Sequence, residues 1–151
     1  MKYDKNKPAV RFAHVGDIST DRDMTIRVVS LRHLLRYHGD VIRSLKVEHD
    51  YIDLSRGRDF LQENAQYDVV ILHFIWGFTE TPYKHPALAV SKDHNIERWR
   101  QRLISTGAKF IFGFGGSSEL ACCTIHNIEG YSYREYFEPP PVQYTLWSKN
   151  D

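Results

Sequence analysis

Tyr67-Asp68-Val69-Val70-Ile71-Leu72-His73-Phe74-Ile75-Trp76-Gly77 is the stretch from which the architecture of the chain reads outward. Val69 to Leu72 is a continuous apolar run rich in β-branched residues, the pattern of a strand buried on both faces. Such strands belong to the middle of parallel sheets. The run ends in His73, two aromatic residues flanking Ile75, and a glycine, followed by a segment rich in turn residues. Open α/β sheets bind ligands beyond the carboxyl ends of their strands, so His73 to Phe78 is expected to wall a site.

On either side, strand and helix patterns alternate. Ala9 to Val15 reads as a first strand running into Gly16-Asp17-Ile18-Ser19-Thr20-Asp21, whose polar residues suit a helix N-cap. Met24, Val28, Leu31, Leu35, Ile42 and Leu45 fall near helical spacing, with a break expected at Gly39-Asp40. The interspersed Arg27, Arg32, Arg36 and Arg43 read as a solvated face, with a phosphate-binding strip as the lesser alternative. Val47 to Leu54 reads as a second strand carrying Asp53 near its end, and Ser55 as the cap of a short helix through Phe60 and Leu61 to Ala65.

Phe78 to Asp93, with Pro82 and Pro86, is the longest segment without periodicity, a length at which loops are often functional. Asp93 or Asn95 then caps a helix with Ile96, Trp99 and Leu103 on one face, Arg98, Arg100 and Arg102 around it, and Gly107 as its stop. Ala108 to Phe114 is a fourth strand, Leu120 to Ile128 a short helix, and Tyr131–Phe137 and Val142–Ser148 a closing antiparallel pair. Together these predict one α/β domain over residues 1–151, a three-layer Rossmann-like sandwich with a mostly parallel sheet and an antiparallel C-terminal pair. Gly16-Asp17, His73 to Gly77 and Gly115 to Glu119 would then meet at one sheet edge.

Bulk properties narrow the function classes. The formal net charge of +1 gives no global field favouring nucleic acid or an acidic membrane. No stretch reaches the roughly 18 apolar residues that span a bilayer. Met1 to Pro8 is lysine-rich and precedes a strand pattern rather than a signal-type apolar core. Cys122 and Cys123 are adjacent, cannot staple distant segments, and suit a reducing, cytoplasmic setting. The eight histidines are scattered, and no metal-type spacing occurs.

The second half resembles the later part of class I S-adenosylmethionine-dependent methyltransferases. Tyr67-Asp68-Val69-Val70-Ile71 resembles their fourth-strand segment, and Trp99 to Phe112, with Thr106-Gly107-Ala108-Lys109, their helix, glycine turn and fifth strand. Glu129-Gly130-Tyr131 and Val142 to Lys149 resemble their closing strands, so that the likeness covers roughly residues 47 to 149. It implies a crevice for S-adenosylmethionine or a similar nucleotide-like small molecule. Gly16, Asp17, Asp53, Trp76, Gly115 and Gly116 would lie on the cofactor side, with His73 and Glu119 nearest the acceptor. The first half departs from the family: its first turn has a single glycine, and a full βα unit is missing before the third strand. Asp53 also lies farther from that turn than the usual ~20 residues.

Other readings of the same residues stand beside this one. Gly113-Phe114-Gly115-Gly116-Ser117-Ser118-Glu119 is either an anion-binding glycine turn or a tight turn capped by a serine. As a nucleophile elbow it fails at Glu119, where a glycine belongs. A small serine hydrolase using Ser117 or Ser19 is nonetheless a second function class, and a non-catalytic binding or assembly module a third. His73 suits a general base or a bond to a backbone carbonyl, and Trp76 and Phe78 suit base stacking or lid packing.

Overall fold

A computed structural model of the chain describes residues 9–16, 30, 32–36, 38–39, 46–54, 57–73, 93–114, 127–138 and 142–151. Six strands form one sheet: β1 (Ala9–Gly16), β2 (Lys46–Asp53), β3 (Val69–His73), β4 (Phe110–Phe114), β5 (Tyr131–Glu138) and β6 (Val142–Lys149). Their order is β2-β1-β3-β4-β6-β5. The first four strands run parallel. The closing pair enters the sheet by its second strand, β6, which lies antiparallel to both β4 and β5.

Alternating residues feed two cores. On one face Ala13, Val15, Val70, Leu72, Ile111 and Trp147 pack under Trp99 and Leu103 of helix α1 (Asp93–Ser105). On the other, Phe12, Val69, Ile71, Phe112, Phe114, Tyr144 and Leu146 pack with Leu34 of the helical residues 32–36. Helical residues thus cover both faces of the parallel strands, which explains why Val69 to Leu72 is apolar without alternation.

Several local expectations shift. Asn95 lies inside α1 and is not its cap, because the helix begins at Asp93. Gly107 does end that segment, at φ 71°, with its N–H donating to the carbonyl of Ile104. The short helix expected through Ala65 is a single 3-10 turn, Phe60–Gln62: the Asp59 carboxylate caps its start, accepting from the N–H of Leu61 at 3.1 Å, and Glu63 ends it by taking an extended backbone, φ −84° and ψ 152°. Ser55, the cap expected there, lies outside the described residues. Among the described residues between 30 and 39, Ser30, His33 and Leu34 are buried, whereas Leu35 is half-buried. Arg32 and Arg36 are exposed as expected. Asn127 and Ile128 are not helical, and the rest of the expected 120–128 helix lies outside the described residues, as do the 78–92 loop and both cysteines. No helix among the described residues is long and apolar enough to cross a membrane.

Arg102 departs most from the sequence pattern. It is 6% exposed, although it sits on a helix with a largely charged outer face. Its Nε donates to the Phe60 carbonyl at 2.8 Å and its Nη2 to the Ala65 carbonyl at 3.1 Å, and the guanidinium stacks 4.3 Å from the Phe60 ring centre. Burial lowers its affinity for a proton, but these acceptors keep the charge in place and bolt α1 to the β2–β3 connection.

Alongside, the Asp50 carboxylate accepts from Tyr67 Oη at 2.6 Å and from Arg58 at 3.0 Å. Partial burial pushes the Asp50 carboxyl up, but these two donors outweigh it and hold it below its ordinary value. Burial, then the bond to Asp50, pushes the Tyr67 phenol up to about 12.

Leu72→Ala removes buried apolar volume at the centre of the sheet and should cost ~2–5 kcal/mol, read from urea denaturation followed by circular dichroism. The Tyr67 phenol binds its proton more tightly in the folded chain than in the unfolded one, where its value is near ~10. Its stabilisation is therefore full below that value and is lost as pH rises through about 12. Across this window the wild type should lose more stability than Tyr67→Phe, and equal losses would assign the decline to other groups.

Candidate site at the carboxyl edge of the sheet

The strand registers place one residue from each strand in a single row at the carboxyl edge of the parallel strands. Asp53 pairs with Gly16, Gly16 with His73, His73 with Phe114, Phe114 with Tyr144, and Tyr144 with Tyr136. The chain leaves β1 for β2 on one side and reaches β3 on the other, so the order reverses between β1 and β3. That reversal is where open α/β sheets leave a crevice. Gly16 lies at it with φ 143°, a conformation that side chains with a Cβ rarely adopt. Of the residues expected here, Gly16, Asp53 and His73 are therefore brought together by backbone register. Asp17, Trp76, Gly115, Gly116 and Glu119 lie outside the described residues, as do Ser19 and Ser117.

Behind this row, on the face covered by residues 32–36, is a cluster of imidazoles and phenols that sequence reading passed over. His14 is fully buried on β1, two residues before Gly16. Its Nε2 lies 2.8 Å from His49 Nδ1 on β2, so one ring donates the single bridging proton and the other accepts it. The Tyr51 ring stacks on His14 with centres 4.6 Å apart and an 18° tilt. These residues share a face because His49, Tyr51 and Asp53 alternate along β2, as Phe12, His14 and Gly16 do along β1. The alternation is visible in the sequence. What hides it is the central position of His14, where a buried polar ring is uncommon.

The second group centres on His33. It is 4% exposed, with Nδ1 3.0 Å from Tyr144 Oη. Its ring stands edge-on to Phe112, Tyr136 and Tyr144, at interplanar angles of 80°, 76° and 89°. Tyr144 is 1% exposed and stacks on Tyr136 at 5.1 Å and 12°. A phenol bonded to an imidazole can pass a proton through a short path, and this pair reaches the carboxyl-edge row through Tyr144. Among the described residues, no group of three or more His, Cys, Asp or Glu is placed to hold a metal ion.

No protein-family model matches the sequence, and no curated protein matches it. Among solved structures, the chain is similar to one described as the delta-N METTL16 MTase domain, at 12% identity and a TM-score of 0.37. That likeness covers 95% of this chain and 75% of the other. It is also similar to one described as a human methyltransferase 10 domain containing protein, at 8% identity and a TM-score of 0.38, over 97% of this chain and 73% of that one.

The His33–Tyr144 bond can be weighed by a double-mutant cycle. His33→Phe, Tyr144→Phe and the double variant, compared by urea denaturation, should give a coupling of ~0.5–3 kcal/mol. Additive losses would mean that each ring contributes packing alone.

Proposed function

We propose that the chain is a Rossmann-like, methyltransferase-type domain whose carboxyl-edge crevice binds S-adenosylmethionine or a related nucleoside. The observation that carries this reading is the register of Gly16 against both Asp53 and His73 at the point where strand order reverses. A glycine at positive φ ends the first strand, and an acidic residue ends its neighbour. Together these suit close approach of a nucleoside to backbone and a carboxylate for ribose hydroxyls. The parallel order of β2, β1, β3 and β4 and the antiparallel entry of β6 also agree with the family resemblance in the second half of the sequence.

Gly16 and Asp53 would hold the cofactor side, the glycine by leaving room and the carboxylate by accepting hydroxyl hydrogens. The cofactor, when bound, would supply an electrophilic methyl group on a sulfonium. The tasks left to the protein are alignment and exclusion of water, and His73, in register with Gly16, would serve on the acceptor side.

Calorimetric titration with S-adenosylmethionine and with its demethylated product tests the proposal. Binding of either in the micromolar to millimolar range is expected, with Asp53→Ala weakening it about tenfold or more. No heat and no thermal shift at millimolar ligand would sink it, as would an Asp53→Ala variant that binds undiminished.

A further inference from the structure

Among the described strands β5 closes the sheet on one side, with β6 as its one neighbour. It is 8 residues long, and Ser132, Tyr133, Arg134 and Glu135 are exposed although successive side chains point to opposite faces. The middle of the strand is thus open above and below. Its backbone direction follows from the ladder with β6. The Asn150 N–H donates to the Gly130 carbonyl, and the register continues unbroken from there. Bonded and non-bonded positions alternate in an antiparallel ladder, so Ser132, Arg134, Tyr136 and Glu138 turn their backbone groups to β6. Glu135 and Phe137 turn theirs to the open edge, and such an edge is a template for a further strand.

The residue order of β5 selects which strand fits. Arg134, Tyr136 and Glu138 occupy successive positions of one face, that on which Tyr136 stacks on Tyr144. The exposed Arg134 guanidinium has no ion pair among the described residues. Read in the reverse direction, Arg-x-Tyr-x-Glu complements itself. A two-fold axis normal to the sheet keeps every residue on its own face, so it must pass through a residue of the strand. An axis through Arg134 or Glu135 would set that charge against itself. An axis through Tyr133 would oppose Arg134 to Ser132, whose hydroxyl already donates to Asn150 Oδ1 at 2.7 Å. An axis through Tyr136 opposes Arg134 to Glu138 twice, and no other position of β5 brings unlike charges together. Charges on an edge discourage pairing with an arbitrary strand, but this order favours one antiparallel copy of itself.

We propose that β5 pairs antiparallel with β5 of a second copy of this chain, about a two-fold axis at Tyr136. Glu135 of each copy would exchange backbone hydrogen bonds with Phe137 of the other. Arg134 of each would meet Glu138 of the other at non-hydrogen-bonded positions, where opposed side chains approach most closely. The sheet would then run through both copies. Pro139, opposite Tyr133 in this register, has no N–H to donate, so the ladder stops there. An interface this short belongs to the weak class, with a dissociation constant in the micromolar range. The pairing lies at the opposite side of the sheet from β1 and β2, and does not depend on the crevice proposed above.

Analytical ultracentrifugation of the whole chain should show a monomer–dimer equilibrium with a dissociation constant of about 1–100 μM. Arg134→Glu and Glu138→Arg, each alone, would set like charges opposite and should raise that constant about tenfold or more. An equimolar mixture of the two variants should dimerise again, because each altered chain supplies the charge that the other needs. Arg98→Glu, at an exposed position of α1, should leave the wild-type dimer unchanged. Amide hydrogen exchange on the wild type makes the test independent of how any variant folds: protection at Glu135 and Phe137 should rise with protein concentration. A wild type that stays monomeric at about 500 μM, a dimer indifferent to both reversals, a mixture of folded variants that stays monomeric, or unchanged protection at these two amides would each overturn the proposal.

Discussion

The parallel pairing of β1 with neighbours on both sides is the constraint on which the rest of the sheet depends. All eight residues of β1 are in register with β2, and its last five are also in register with β3. Such a strand has its hydrogen bonds fixed laterally and its side chains fixed above and below. A slip of one residue would exchange Phe12 and His14 with Ala13 and Val15 between two cores of different composition. It would also move Gly16 out of line with Asp53 and His73. The carboxyl-edge row thus exists because the packing of β1 admits a single register.

The two faces solve burial differently. The face under α1 is built on Trp99, Trp147 and aliphatic residues, with its polar groups collected at one side around Arg102, Asp50, Arg58 and Tyr67. There Arg102, Asp50 and Arg58 each have hydrogen-bonding partners that offset the desolvation of their charges, and the cluster fixes the helix against the sheet. The opposite face admits polar rings into the core itself. His14 and His33 are buried there, and each is held by another ring with a complementary nitrogen or hydroxyl. It is also the face on which Gly16 and Asp53 fall by alternation, which brings proton-carrying groups up to the proposed cofactor edge.

The proposed site follows from how the elements end. The carboxyl edge collects Asp53, Gly16 and His73 because parallel strands all finish on the same side. At the other side α1 packs over Trp147 on β6, while Tyr133 on the outer strand keeps an exposed ring. Arg100 and Arg102 illustrate the result. Two residues apart on one helix, the second finds backbone carbonyls at Phe60 and Ala65, and the first lies 3.6 Å from the carboxylate of Glu97.

Much of the sheet was written in the local sequence. Val69 to Leu72 reads as a buried strand because a continuous apolar run rich in β-branched residues suits a strand covered on both faces, and Gly107 reads as a helix stop because glycine readily takes the positive φ, here 71°, that such a stop uses. The residues at the strand ends, Gly16, Asp53 and His73, could likewise be named from where those patterns stop. What the sequence by itself could not determine was which strand lies beside which, since that depends on contacts between residues far apart in the chain. Only the tertiary structure decided that β6 enters next to β4 and that His33 rather than Leu35 faces the sheet. The pairing of His14 with His49 and of Arg102 with two carbonyls belongs to the same class. A buried polar side chain is stable only with its partner, and these partners lie 35 residues away for His14 and 42 and 37 for Arg102.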